Sequence, residues 1–77
     1  MGTARRPKPA HLAKKLLAIR RRLGIGQYKL SIKLGLDASR ISEYESGVRE
    51  PNLLVLLAYA RAGDVSVEHL IDDELRI

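Results

Sequence analysis

Arg5, Arg6, Lys8, Lys14, Lys15, Arg20, Arg21 and Arg22 stand within the first 22 residues with no acid among them, a local charge of +8. A run of this kind raises the concentration of a polyanion at one side of a small protein. The charge then reverses along the chain. Residues 23–49 hold four bases and three acids, whereas residues 50–77 hold two bases and six acids and carry −4. Other chemistry is thinly represented. With no Cys, and only His11 and His69, the sequence offers no thiol nucleophile, thiolate metal site or histidine cluster, so neither a metal nor a cofactor is expected. Ser39, Ser42, Glu43 and Glu45 lie close together, but a nucleophile needs an oriented base and a pocket, and 77 residues leave little interior for one. Catalysis is therefore not expected. The longest apolar run, Leu53 to Ala60, is eight residues, far below the ~18 of a membrane span. The N-terminal stretch is broken by Lys14 and Lys15 and has no signal-peptide core, which points to the cytoplasm.

The elements that must position these charges are short helices of a single domain. Gly2, Pro7 and Pro9 predict a flexible basic arm over residues 1–9. From Ala10 the pattern turns helical: Leu12, Leu16, Ile19 and Leu23 fall on one stripe, and Gly24 and Gly26 end it. A second helix spans Gln27 to Leu34, with Leu30 and Leu34 inward, and stops at Gly35. After the turn Gly35-Leu36-Asp37, capped by Asp37 or Ser39, a third helix covers 38–45 with Ile41 and Tyr44 inward and Gly47 at its end. Pro51 and Asn52 open a fourth over 52–62, in which Leu53, Leu56, Leu57 and Ala60 make the buried face. Gly63-Asp64 breaks the chain, and Ser66 begins a fifth helix over 66–71 whose apolar face is Val67, Leu70 and Ile71. Nothing reads as a strand. The expected architecture is all-α: a compact five-helix bundle over residues 10–72, with a short acidic tail at 73–77. On helix one, Arg20 lies about 80° from Leu12, beside the apolar stripe, while Lys14, Lys15, Arg21 and Arg22 are placed on the solvated side. An inward guanidinium needs a partner, and Glu45, on the packed side of helix three, is the expected one.

Gln27, Leu30, Ser31, Leu34, Gly35, Ile41, Tyr44, Glu45, Gly47 and Pro51 stand at the spacings of the lambda-repressor/Cro-like, or XRE, helix-turn-helix family. The resemblance covers roughly residues 11–71 and includes the run GQYKLSIKLGLDASRISEYESGVREPNLLVLLAYA. It implies a sequence-specific binder of double-stranded DNA, in most cases a transcriptional regulator, whose second helix lies across the backbone while the third enters the major groove. By position, it implies a phosphate contact for Gln27, aided by the positive end of its helix, with Tyr28 and Lys29 beside it. Ala38, Ser39, Arg40 and Glu43 fall where base edges are read. Ala38 can pack on a thymine methyl, Ser39 can donate or accept, and Glu43 can accept from the cytosine amine, while Arg40 suits guanine or a phosphate. Glu43 departs from the pattern, since an acid near the groove needs a cytosine or a pairing with Arg40.

The remaining bases suit the backbone: Arg5, Arg6 and Lys8 on the arm, Arg49 after helix three, and Lys33 on helix two. Helix four is apolar nearly all round: Tyr59 also lies off the expected buried face, and Leu54, Val55 and Ala58 exceed what one bundle buries. Members of the resembling family commonly dimerise through their C-terminal helices. A homodimer is accordingly expected through these three residues, joined by Val67, Ile71 or Leu75. These 77 residues contain no effector domain, so switching would come from a partner protein, dimer dissociation or competition for an operator. Two alternatives use the same bundle: an antitoxin that also neutralises a toxin, and a protein-interaction adaptor that reads no DNA.

Overall fold

The computed structural model describes residues 9–77, so Arg5, Arg6, Lys8 and nearly all of the expected basic arm lie outside the described residues. The described chain is five α-helices in the order α1 (Leu12–Leu23), α2 (Gln27–Leu34), α3 (Ala38–Ser46), α4 (Leu53–Gly63) and α5 (Val67–Ile71). No strand occurs among the described residues.

Local chemistry sets the boundaries. Asn52 accepts from the Val55 amide at 2.9 Å and Ser66 from the His69 amide at 3.2 Å, so each caps the helix that follows it. The α2–α3 corner turns on Gly35, whose φ of 72° is left-handed and whose amide donates to the Ile32 carbonyl. Leu36 then donates to the Ser31 carbonyl at 2.8 Å and tucks its side chain against the core. Asp37 occupies the cap position of α3, but its side chain caps nothing.

One core holds the helices together. Leu16, Ile19, Leu30, Ile41, Tyr59 and Leu70, drawn from all five helices, are its fully buried large side chains. Tyr44 and Tyr59 meet edge to face, with ring centroids 6.5 Å apart, an arrangement favoured by the ring quadrupoles. Burial also pushes the Tyr59 hydroxyl well above its ordinary pKa.

Four expectations need correction. The inward face of α4 is Val55, Leu56, Tyr59 and Ala60, whereas Leu53 and Leu57 are exposed. Val55 is only 7 % exposed and belongs to the core, not to a dimer surface. A helix that is apolar on every side carries no periodicity to mark which side packs, so the neighbouring helices make the choice. Lys15 is likewise 7 % exposed, not solvated. It sits about 60° from Leu12 on the flank opposite Arg20, so its methylene stem runs along the core. Its ammonium donates to the carbonyls of His69 at 2.7 Å and Asp72 at 2.8 Å, satisfying the C-terminal end of α5.

The break after α4 is made by Asp64, whose φ is 56°, and Gly63 is a helical residue with a different task. A Cβ at Gly63 would stand 2.9 Å from Ile19 Cγ1 and 3.0 Å from its Cδ1, so only glycine lets α4 approach α1 this closely. The short acidic tail, residues 73–77, folds back toward α1. Ile77 packs against the core, and Asp73 accepts from the amides of Ala10 at 2.8 Å and His11 at 3.1 Å just ahead of α1. Those amide bonds hold the Asp73 carboxyl below its ordinary pKa.

The Gly63 contact makes a direct prediction. Gly63→Ala gains about 1 kcal/mol of helix propensity but drives a methyl into a buried branched side chain, which costs about 1–3 kcal/mol. Urea denaturation should therefore show no gain in stability, and a net loss if Ile19 cannot turn away.

Candidate nucleic-acid interface

The candidate site is built from α2, its three-residue turn and α3. Ile41 and Tyr44 anchor α3 in the core, which leaves its opposite side facing solvent. Ser39, Ser42 and Ser46 are exposed there, at i, i+3 and i+7, with Ala38 and Glu43 half-buried on either side of them. Ser42, weighed on the sequence only for catalysis, and Ser46 join this face, where helical spacing from the inward pair Ile41 and Tyr44 locates them. Arg40 is exposed but sits about 100° round the helix from Ser39, on the flank of this face.

An ion pair beneath the site fixes the angle between its helices. Arg20 Nε donates to Glu45 Oε2 at 2.6 Å and its terminal nitrogen to Oε1 at 3.0 Å, a two-pronged bond between α1 and α3. The other terminal nitrogen donates to the Ile25 carbonyl at 3.1 Å, in the loop before α2. Gln27 Nε2 adds a bond to Glu45 Oε1 at 3.1 Å, so α2 joins the same carboxylate. The hydrogen bonds to Glu45 raise the Arg20 pKa further above its ordinary value. The expected Arg20–Glu45 pair is present, and Gln27, expected at a phosphate, gives its side-chain amide to Glu45 as a third member.

Glu43 pairs with Arg49, not with Arg40, through an Nε–Oε1 contact of 2.9 Å. Arg49 can reach it because the chain folds back after α3, where the Val48 and Arg49 amides both donate to the Glu43 carbonyl. The acid on the outward face is thus neutralised within the protein. Tyr28, Lys29 and Lys33 are exposed along the outer side of α2. The first turn of α2 follows Gly26 and carries neither an acid nor a side-chain cap, which leaves its amides and the helix dipole open to an anion. Among the described residues no cluster of His, Asp or Glu could hold a metal ion, and no helix is long and apolar enough to cross a membrane.

This geometry defines a helix-turn-helix domain. The Helix-turn-helix family profile matches residues 16–70, and the chain belongs to that family. Over 60 residues it is 38 % identical to the uncharacterized HTH-type transcriptional regulator y4dL of Sinorhizobium fredii, covering 78 % of this chain but only 31 % of that protein. Among solved structures it is similar to the P22 c2 repressor in complex with a synthetic operator, with a TM-score of 0.75 and 31 % identity over 80 % of this chain and 94 % of that one. It is also similar to the restriction-modification controller protein C.AhdI of Aeromonas hydrophila, with a TM-score of 0.70 and 30 % identity over 78 % of this chain and 91 % of that one.

Because Glu45 is 6 % exposed and Arg20 19 %, removing one partner strands a charge in a mostly dry site. Glu45→Ala should cost about 3 kcal/mol in chemical denaturation, the lower end of the range for a buried pair because Arg20 keeps some solvent. A loss below about 1 kcal/mol would place the pair with ordinary surface salt bridges.

Proposed function

We propose that this chain binds double-stranded DNA in a sequence-specific way and works as a small repressor-like transcriptional regulator in the cytoplasm, at the nucleoid. The observation that carries the reading is the outward face of α3, held rigid by the Arg20–Glu45–Gln27 network and uncovered by any other described part of the chain. Support comes from the P22 c2 repressor, which shares this fold at 31 % identity and was solved on an operator.

In this reading α3 lies in the major groove, where Ala38, Ser39, Ser42 and Glu43 face base edges and Arg40 reaches the flanking phosphate or a guanine. The amides at the start of α2 hold a phosphate, with Tyr28 and Lys29 at its sides. Gln27 acts there by steadying the helix end through Glu45. Arg49 has two settings: paired with Glu43 in the free protein, and released to the backbone when Glu43 accepts from a cytosine amine. The site binds and does not catalyse.

Leu53 is 80 % and Leu54 77 % exposed, and with Leu57, Ala58 and Ile71 they form the apolar surface through which two copies pair. Two α3 helices then meet half-sites about 34 Å apart.

Two measurements test this. Fluorescence anisotropy with a random duplex should give a log Kd against log salt slope of about 4 to 5 per monomer, matching four to six neutralised phosphates; a flat response overturns the reading. Sedimentation equilibrium should show a dimer at micromolar concentration that Leu54→Glu converts to monomer with its fold intact. A wild-type monomer would remove the paired half-sites.

A further inference from the structure

The exposed apolar side chains do not all lie on α4. Tyr28 is 71 % and Ile32 63 % exposed, one helical turn apart on the outer side of α2. Next to Ile32, a shallow groove of about 420 Å³ runs between α2 and the end of α1, lined by Leu23, Ile25, Lys29, Ile32 and Lys33. Leu23 and Ile25 are half-buried and form its floor. Lys29 and Lys33, also one turn apart and exposed, line it beside Ile32. No acid occurs anywhere from Leu12 to Leu34, and neither Lys29 nor Lys33 has an ion-pair partner among the described residues.

We propose that this groove is a docking site for an acidic amphipathic helix of a partner protein. The partner helix lays its apolar side on Ile32, Leu23 and Ile25 and sets Asp or Glu residues against Lys29 and Lys33. Its commitment to a protein follows from the mixture of surfaces. Ile32 gains nothing against a phosphate backbone, so DNA accounts for the lysines but not for the apolar floor. A flat anionic bilayer takes up exposed Ile32 and Tyr28 but leaves half-buried Leu23 and Ile25 uncovered, whereas a convex partner helix reaches all of them. Charge complementarity then selects an acidic helix over a basic one. The groove shares Lys29 with the phosphate site proposed at the start of α2, but its apolar floor and Lys33 lie outside that site and off the outward face of α3, so the proposal goes beyond the DNA-binding reading.

The test is a ¹⁵N NMR titration of the full 77-residue chain with a synthetic peptide of about 16 residues, long enough to form a helix, that repeats leucine and glutamate at helical spacing. Saturable shift changes are expected at Leu23, Ile25, Lys29, Ile32 and Lys33, with a scrambled peptide of the same composition binding far more weakly. Ile32→Ser should weaken the peptide about tenfold or more, the loss expected when a buried branched side chain is truncated, while Ile32→Leu retains it. Random-duplex affinity, measured alongside, should stay within about twofold in Ile32→Ser, because the energetics of that binding are electrostatic. If Ile32→Ser unfolds, Lys33→Glu supplies the test, with the same direction expected for the peptide. The proposal is overturned by shifts centred on Leu53 and Leu54, by equal binding of the scrambled peptide, or by an Ile32→Ser peptide affinity equal to wild type. It is also overturned if vesicles of phosphatidylglycerol and phosphatidylcholine bind in an Ile32-dependent way while the peptide does not. Failure of the peptide with duplex binding intact would remove the docking site and leave the DNA-binding reading standing.

Discussion

Glu45 is the point through which three helices are held in register. It is nearly buried and accepts from Arg20 twice and from Gln27 once, so α1, α2 and α3 converge on a single carboxylate. A carboxylate so placed tolerates few arrangements, because any shift that removes a donor leaves a charge in low dielectric without compensation. The same guanidinium also holds the Ile25 carbonyl and therefore the loop from which α2 departs. Short helices of eight and nine residues have no independent stability. Their relative angle is a property of this network and of the Leu30–Ile41 core behind it, and the outward face of α3 inherits its rigidity from both.

A second cation does similar work at the other end of α1. Lys15 gives its ammonium to two carbonyls at the end of α5, while Asp73 accepts amides just before α1 begins. The first helix is thereby tied along one flank to α3 by Arg20 and along the other to α5 by Lys15. This use of two bases changes how the N-terminal charge is understood. Of the bases on α1, Lys14, Arg21 and Arg22 are free to act on the electrostatic field outside the molecule, whereas Arg20 and Lys15 are spent on the fold.

The apolar surface left over is divided between two places. Leu53, Leu54, Leu57 and Ile71 form one patch beside the start of α4, and Tyr28 and Ile32 form another on α2. Exposed Arg61 lies one turn beyond Leu57 at the edge of the first, whereas Lys29 and Lys33 flank the second. Neither patch lies on the outward face of α3, where Ser39, Ser42 and Ser46 are exposed.

The number, order and approximate limits of the helices were legible in the sequence, because Gly24, Gly35, Gly47, Asn52 and Ser66 are punctuation that acts locally. The pairing of Arg20 with Glu45 was legible too, since an arginine beside an apolar stripe has to find an acid. Lys15 was equally open to that reasoning and was missed: at about 60° from the stripe it is a boundary residue, and its partners are backbone carbonyls, which leave no mark in side-chain identity. The buried face of α4 was beyond reach, because a helix apolar on every side offers no period to read, and Val55 lies on the side where Tyr59 packs on Tyr44 of α3 and Gly63 meets Ile19 of α1. The same limit hid the Glu43–Arg49 pair and the Gln27–Glu45 bond, which depend on how the chain folds back after α3 and on where α2 begins relative to it. Local stops and starts are decided by a few neighbouring residues, and so a chain of amino acids states them outright. Which side of a helix is inside, and which of several charges meet, depends on surfaces brought together from distant segments, and only the packed tertiary structure can decide it.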